Sequence, residues 1–332
     1  MKRLAVIGGG SWGTALAISI SQLGHSVRLW VYEPELVTVI NEGRCNPIYL
    51  NDFLIPSRVV ASNSLEFCLK AAQIVLVVVP SSHCRRLYRA MLPYLMPDSI
   101  FVSATKGIES KTLQRMSEVM EEVISARFRP RIAVISGPSF AKEVARGDPT
   151  AIVVAGSDLN INKTIQSEFS SPSLRLYTNN DIVGTELGGA VKNVIAIAAG
   201  VCTGLGFGFN SVAALVTRGL AEMTRLALAC GGKRETMAGL AGMGDLVLTC
   251  HGELSRNRTL GFQLGKGRQL TKIITGMRMV AEGVSTTQAT LELAQKYQVE
   301  MPITEQMNLL LHHDKNPRDA IRELMERRLK DE

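Results

Sequence analysis

Five residues, Arg3-Leu4-Ala5-Val6-Ile7, run straight into Gly8-Gly9-Gly10-Ser11-Trp12-Gly13. A short run of this apolar character reads as a strand buried on both faces, as in parallel sheets. The glycines behind it fit G-x-G-x-x-G, and Leu16, Ile20 and Leu23 then recur at helical spacing up to Gly24. Between a strand and a helix, that pattern has a physical meaning. Gly8 permits the tight turn, Gly10 lets the backbone approach a pyrophosphate, and Gly13 lets the helix pack closely on the strand. The N–H groups of the helix start, with the positive end of its dipole, then hold the phosphates beside Ser11 and Trp12. The turn therefore predicts a dinucleotide site.

The rhythm of the rest follows from this start. Further strands are expected at 27–31, 74–79, 99–103, 131–136, 151–155 and 174–178, with helices between them, notably at 83–92 and 112–125. Strands alternating with helices imply an α/β, Rossmann-like, doubly wound parallel sheet. Beyond residue 180 the strand signals fade. Segments 182–199, 211–229, 259–267, 285–297, 302–312 and 317–330 all read as helices, so the C-terminal part is expected to be all-helical. Asn179-Asn180-Asp181 is a turn followed by a helix cap, which divides the chain into domains 1–180 and 181–332. The ligand site is expected in the cleft between them.

At 332 residues the chain exceeds what one hydrophobic core comfortably serves, which agrees with two domains. Its net charge of +7 suits an acidic substrate but does not indicate nucleic acid, because aromatics are 5% and no basic block interleaves with them. The cysteines at 45, 68, 84, 202, 230 and 250 include no CxxC pair and read as reduced thiols. No HExxH occurs, and the adjacent His312, His313 and Asp314 point in different directions on a helix, so no metal site is expected. Met1-Lys2-Arg3 is followed by too few apolar residues for a signal peptide, and no uncharged run has membrane-spanning length. These features lead to an expectation of a cytoplasmic protein without a membrane span; a homodimer is left open.

The candidate catalytic groups are single charges in apolar surroundings. Lys192, followed by Asn193, is the only charge between Leu187 and Val201. A helix apolar all round is buried, so this lysine is expected to be desolvated and its pKa lowered toward the range useful for proton transfer. The bland alternative is a lysine snorkelling at the rim. Asp245 is the sole charge in residues 236–250 and is the natural partner of Lys192, unless it merely caps a helix. Lys106 directly follows a strand, where ligands of open α/β sheets gather. Ser136-Gly137-Pro138-Ser139-Phe140 is the equivalent turn after the next strand, with Pro138 placed to start a helix. Ser255-Arg256-Asn257-Arg258 is a compact set of phosphate-type donors, though an exposed loop would look similar. Glu33, in Tyr32-Glu33-Pro34, stands where an acidic residue accepts from a ribose, which favours NAD without excluding NADP.

Taken in order, Gly8–Gly13, Ala104-Thr105-Lys106-Gly107, Ile135-Ser136-Gly137-Pro138, Gly188-Gly189-Ala190-Val191-Lys192-Asn193, Gly244-Asp245-Leu246 and Ser255-Arg256-Asn257-Arg258 resemble the NAD(P)-dependent glycerol-3-phosphate dehydrogenase family, in its bacterial biosynthetic form. The similarity covers residues 4 to 312. It implies an oxidoreductase interconverting dihydroxyacetone phosphate and sn-glycerol 3-phosphate, with the product feeding phospholipid synthesis. It further implies that Lys192 is the acid/base, flanked by Lys106, Asp245 and Asn193, and that Gly137, Ser139, Ser255, Arg256 and Asn257 contact the substrate. Ser11, Trp12, Tyr32, Glu33, Lys106, Ala141, Arg256, Val280 and Glu282 would then line the dinucleotide with Gly8, Gly10 and Gly13. The competing expectations are a related dehydrogenase of a hydroxy acid or sugar acid, and a dinucleotide sensor without catalysis.

Overall fold

The computed structural model describes residues 1–277 and 279–329. Eight strands form one sheet in the order β3-β2-β1-β4-β5-β6-β7-β8. They are β1 (Arg3–Ile7), β2 (Ser26–Trp30), β3 (Val59–Ser62), β4 (Ile74–Val77), β5 (Ile100–Ser103), β6 (Arg131–Ser136), β7 (Thr150–Ala155) and β8 (Leu174–Asn179). The helices among them are α1 (Ser11–Gln22), α2 (Pro34–Gly43), α3 (Leu65–Leu69), α4 (Ser81–Met91), α5 (Met116–Ile124), α6 (Ala141–Arg146) and α7 (Leu159–Phe169). Two apolar clusters cover the two faces of the sheet, one around Leu16, Leu29 and Phe169, the other around Tyr88, Phe101 and Met120. The chain order reverses between β1 and β4, so the crevice for a ligand opens above their carboxyl ends.

The sheet is not wholly parallel, which corrects the expectation. β7 runs antiparallel to β6, then pairs in parallel with β8. The connection, residues 137–149, carries only the short α6, and β7 starts from the end of the sheet where β6 stops. Sequence reading also passed over β3, a four-residue edge strand with alternate residues exposed and hence no apolar run. Pro138 does not start a helix; α6 begins at Ala141, because Gly137 takes a left-handed φ of +138° and sends the turn outward first. α5 begins at Met116 rather than 112, after Leu113 has adopted a positive φ.

The second half is helical: α8 (Ile182–Gly204), α9 (Phe209–Ala229), α10 (Arg234–Ala238), a π-helical turn at Leu240–Gly244, α11 (Asp245–His251), α12 (Arg256–Gly265), α13 (Leu270–Thr275), α14 (Gly283–Lys296), α15 (Pro302–His312) and α16 (Pro317–Met325). The helix expected over 317–330 ends at Met325, and residue 330 lies outside the described residues. α8 is the axis. Asp181 caps it, accepting from Gly184 N at 2.8 Å and from Lys233 N at 2.8 Å. Nearly every residue from Gly184 onward is buried, as its predominantly apolar sequence requires, and the charges of Glu186 and Lys192 are carried into the interior with it. α12 lies directly against it through glycines on both helices. A Cβ on Gly200 would stand 2.1 Å from Arg258 O, and one on Gly261 would stand 2.0 Å from Ile197 O. The backbones therefore touch, and this fixes where Arg256 at the head of α12 stands relative to α8.

Gly261→Ala should force the two helices apart. The expected cost is ~1–3 kcal/mol of stability, the usual penalty for overpacking a close contact. Turnover should fall as well, because the head of α12 is displaced. Chemical denaturation checks this, and an unchanged midpoint would show that the helices tolerate separation.

Candidate active site

The glycine turn has the geometry that its spacing predicts. Gly8 takes φ +129°, and a Cβ there would lie 2.3 Å from Val78 O. A Cβ on Gly13 would stand 1.8 Å from Gly8 O, so only glycine lets α1 approach β1. Over Gly10, by contrast, a Cβ would meet nothing within 4 Å. No side chain caps α1 and no acidic residue lies in its first turn, so its N–H groups face an opening with room for an anion. The residues present fit a dinucleotide pyrophosphate. Trp12 packs partly on the core beneath, and Ser11 Oγ donates to Tyr49 O at 2.7 Å and to Met279 Sδ at 3.2 Å.

Around α8 the chemistry is concentrated. Gly188 and Gly189 allow the helix to press on its neighbours, since Cβ atoms there would stand 2.4 Å from Ala241 O and 2.5 Å from Ser136 Oγ. One turn on, Lys192 Nζ donates to Asp245 Oδ1 at 2.6 Å and to Thr249 Oγ1 at 2.6 Å. The other oxygen of Asp245 accepts from Lys106 Nζ at 2.6 Å, and Lys106 also donates to Gly137 O at 2.9 Å. Ser139 Oγ donates to the same Gly137 carbonyl at 2.9 Å. One carboxylate, 1% exposed, thus holds two ammonium groups that arrive from the two halves of the chain. Lys192 is 6% exposed and points inward, so it does not snorkel. Asp245 opens α11, yet its carboxylate accepts from lysines rather than capping the helix.

Burial pushes the Lys192 pKa down to about 8, Asp245 opposes the change, and Lys106 adds to it. An ammonium that titrates near neutrality, at the junction of the two halves, is suited to give and take a proton.

The phosphate-type donors lie at the start of α12. Ser255 caps that helix, accepting from Arg258 N at 3.2 Å, so the helix begins at Arg256 and not at 259. Arg256 Nη1 donates to Val280 O at 2.9 Å, and its other guanidinium groups carry no hydrogen bond among the described residues. Asn257 Oδ1 accepts from Gly283 N at 2.9 Å, and Gly283 presses on the backbone carbonyl of Asn193. The Asn193 side chain reaches only Gly189 O, at 3.5 Å. Glu282 accepts from Ser81 Oγ at 2.9 Å and Ser81 N at 3.3 Å at the head of α4, which ties the two halves together again. Ala141 opens α6, and Tyr32 is largely exposed, edge-on to Trp30.

Sequence reading missed Thr249 and Tyr49. Thr249 had a signal, because it stands four residues after Asp245 and so shares its helix face. Tyr49, whose hydroxyl donates to Glu33 Oε1 at 2.7 Å, had none.

Family models described as NAD-dependent glycerol-3-phosphate dehydrogenase N-terminus and C-terminus match residues 3–162 and 181–322. The chain belongs to the NAD-dependent glycerol-3-phosphate dehydrogenase family. It is 63% identical to the glycerol-3-phosphate dehydrogenase (NAD(P)+) of Koribacter versatilis, over 98% of each chain. A crystal structure of the enzyme from Coxiella burnetii superposes with a TM-score of 0.94 at 40% identity, covering 98% of this chain and 99% of that one. A ketopantoate reductase from Ralstonia eutropha, at TM-score 0.60 and 16% identity, shares the fold alone. The family accounts for the glycine turn and the helical half together. Among the described residues no cluster of His, Cys, Asp and Glu is arranged to hold a metal.

The Lys192 pKa gives a directional prediction. If Lys192 gives the proton in ketone reduction, kcat/KM in that direction should be level at low pH and fall as pH rises through about 8. Asp245→Asn removes the charge that holds the pKa up, so the midpoint should move to lower pH. Paired pH–rate profiles test this, and a midpoint that stays or rises would dismiss the assignment.

Proposed function

We propose that this chain interconverts dihydroxyacetone phosphate and sn-glycerol 3-phosphate, with NAD or NADP as cofactor and Lys192 as the proton-transferring group. The observation that carries the reading is the buried ammonium of Lys192, held by one oxygen of Asp245 while Lys106 occupies the other. A bound dinucleotide, held at the Gly8–Gly13 turn, would supply or take up the hydride at the carbonyl carbon. Reduction leaves negative charge on the carbonyl oxygen, and the Lys192 ammonium would neutralise that charge and give up its proton. Asp245 is not stranded when Lys192 becomes neutral, since Lys106 still pairs with it. A dinucleotide sensor moves no proton, and such a titrating pair would be a pure cost there.

Arg256 would anchor the phosphate with the N–H groups that Val280 leaves free, and Ser139 would turn its hydroxyl from Gly137 O to the phosphate as a neutral donor. Ser255 and Asn257 would then act mainly by fixing Arg256, through the helix cap and the bond to Gly283. Binding energy at the unreactive phosphate end would place the ketone for reaction. On this reading residues 1–180 form the dinucleotide domain and 181–332 the substrate domain. Each residue proposed for the site comes from one chain, so the chemistry itself does not demand a dimer. The reading extends to a cytoplasmic enzyme supplying glycerol phosphate for phospholipid synthesis. It is supported by six free cysteines and by α8, the only membrane-length apolar helix among the described residues, lying 94% buried inside the protein.

Oxidation of NADH or NADPH on adding dihydroxyacetone phosphate is the direct assay, with Lys192→Met as its control. Met keeps the stem but removes charge and proton, and Asp245 retains Lys106. Cofactor binding and the fold should survive while kcat falls ~10²–10⁴-fold. Turnover within tenfold of the parent, in a folded variant that binds cofactor, would remove Lys192 from the mechanism.

Arg256→Ala should instead act on substrate binding, raising KM for dihydroxyacetone phosphate at a cost of ~2–5 kcal/mol. Steady-state kinetics with the phosphorylated ketone checks this. Near-normal KM and kcat would show that the phosphate is held elsewhere.

A further inference from the structure

The loop after α2 is stitched to the glycine turn by a side chain that the reaction does not use. Asn46 is fully buried, and its Nδ2 donates to Gly9 O at 2.8 Å and to Thr14 Oγ1 at 2.9 Å. Its Oδ1 accepts from Tyr49 N at 3.2 Å, and Ser11 Oγ seals the other side by donating to Tyr49 O. Four hydrogen bonds therefore set Tyr49 beside the pyrophosphate turn. From there its hydroxyl reaches Glu33 Oε1, just past the end of β2.

The environment of Glu33 is the other half of the argument. One carboxylate oxygen is held by Tyr49, and Oε2 carries no hydrogen bond among the described residues. Arg44 is the only basic residue between positions 31 and 57. Its guanidinium is spent on backbone carbonyls, those of Ile55 at 3.0 Å, Val59 at 3.1 Å, Asn41 at 3.3 Å and Pro56. Burial pushes the Tyr49 pKa up to about 12, with Glu33 adding to the effect, so the phenol remains a donor across the working pH range.

We infer that Tyr49 is a positioning residue for cofactor choice, aiming the Glu33 carboxylate so that the chain prefers a dinucleotide with a free 2′-hydroxyl over one with a 2′-phosphate. The inference rests on the dinucleotide reading of the glycine turn. A fixed carboxylate with one open oxygen accepts well from a ribose hydroxyl. The same fixed charge repels a phosphate, and a carboxylate free to swing aside would repel it less.

The test uses equilibrium titration of the full chain with NADH and NADPH, alongside turnover of dihydroxyacetone phosphate with each. The variants are Tyr49→Phe, Glu33→Ala and both together. The parent should favour NADH. Tyr49→Phe removes only the hydroxyl and should shrink that preference by about tenfold, the worth of a hydrogen bond to a charged acceptor. Glu33→Ala should shrink it at least as far, and adding Tyr49→Phe to Glu33→Ala should change nothing further. A merely structural role for Tyr49 would weaken both cofactors equally and leave the ratio alone. The inference is overturned by a parent that favours NADPH, by a ratio within twofold of the parent in Tyr49→Phe, or by a Tyr49→Phe effect that persists without Glu33. If the cofactors bind but no ketone is reduced, the activity fails while the binding ratio still decides this inference. If neither binds, both fall.

Discussion

A carboxylate with 1% of its surface exposed can remain in a protein interior only if its charge is answered, and Asp245 is answered twice. Lys192 comes from α8 in the helical half, and Lys106 comes from the end of β5 in the sheet half. The ion pairs therefore do more than neutralise charge. They join the two halves of the chain, and they keep a lysine ammonium inside a largely apolar helix. Arg256, Glu282 and the glycine turn are arranged around that junction, each from a different element.

The junction depends in turn on how closely α8 is approached. Glycines face glycines or backbone carbonyls along its length, at Gly188, Gly200 and Gly204 on α8 and at Gly261 and Gly265 on α12, while Gly189 makes room for the Ser136 hydroxyl. At the first five, each missing side chain lets a neighbouring backbone come within contact distance. Packing at this density leaves the elements little freedom, so hydrogen-bond lengths near 2.6 Å between Asp245 and the two lysines follow from the placement of whole helices. Ser81 with Glu282 and Ser11 with Met279 add links of the same kind between the halves, at the dinucleotide side of the cleft.

Much of this was legible because it concerns residues out of place in their own neighbourhood. Lys192 and Asp245 are single charges in apolar runs, and a buried charge must find a partner. The glycine turn is read from spacing, and the strands β1, β4 and β5 from unbroken apolar runs. What escaped had no local anomaly. β3 alternates and is short, the direction of β7 is not written in its own apolar run, and the π-helical turn before Asp245 carries no local sequence marker. Tyr49 and Asn46 look like ordinary loop residues, and their importance arises only when the loop folds over Gly9 and Thr14.

The sequence by itself determined the fold class, the dinucleotide turn, the helical character of the second half and the identity of the two central charges. Each of these is set by periodicity, by glycine spacing or by the cost of an unpaired charge, and all three act over a few residues. Only the tertiary structure decided that Asp245 serves Lys106 as well as Lys192, that Ser255 caps a helix, and that Glu33 is held by Tyr49. Those partners are 3 to 139 positions apart in the chain, and the longer spans close only when the sheet and the helical half pack together. Distance along the chain carries no information about direction in space. The packing of α8 against β6, α11 and α12 supplies it.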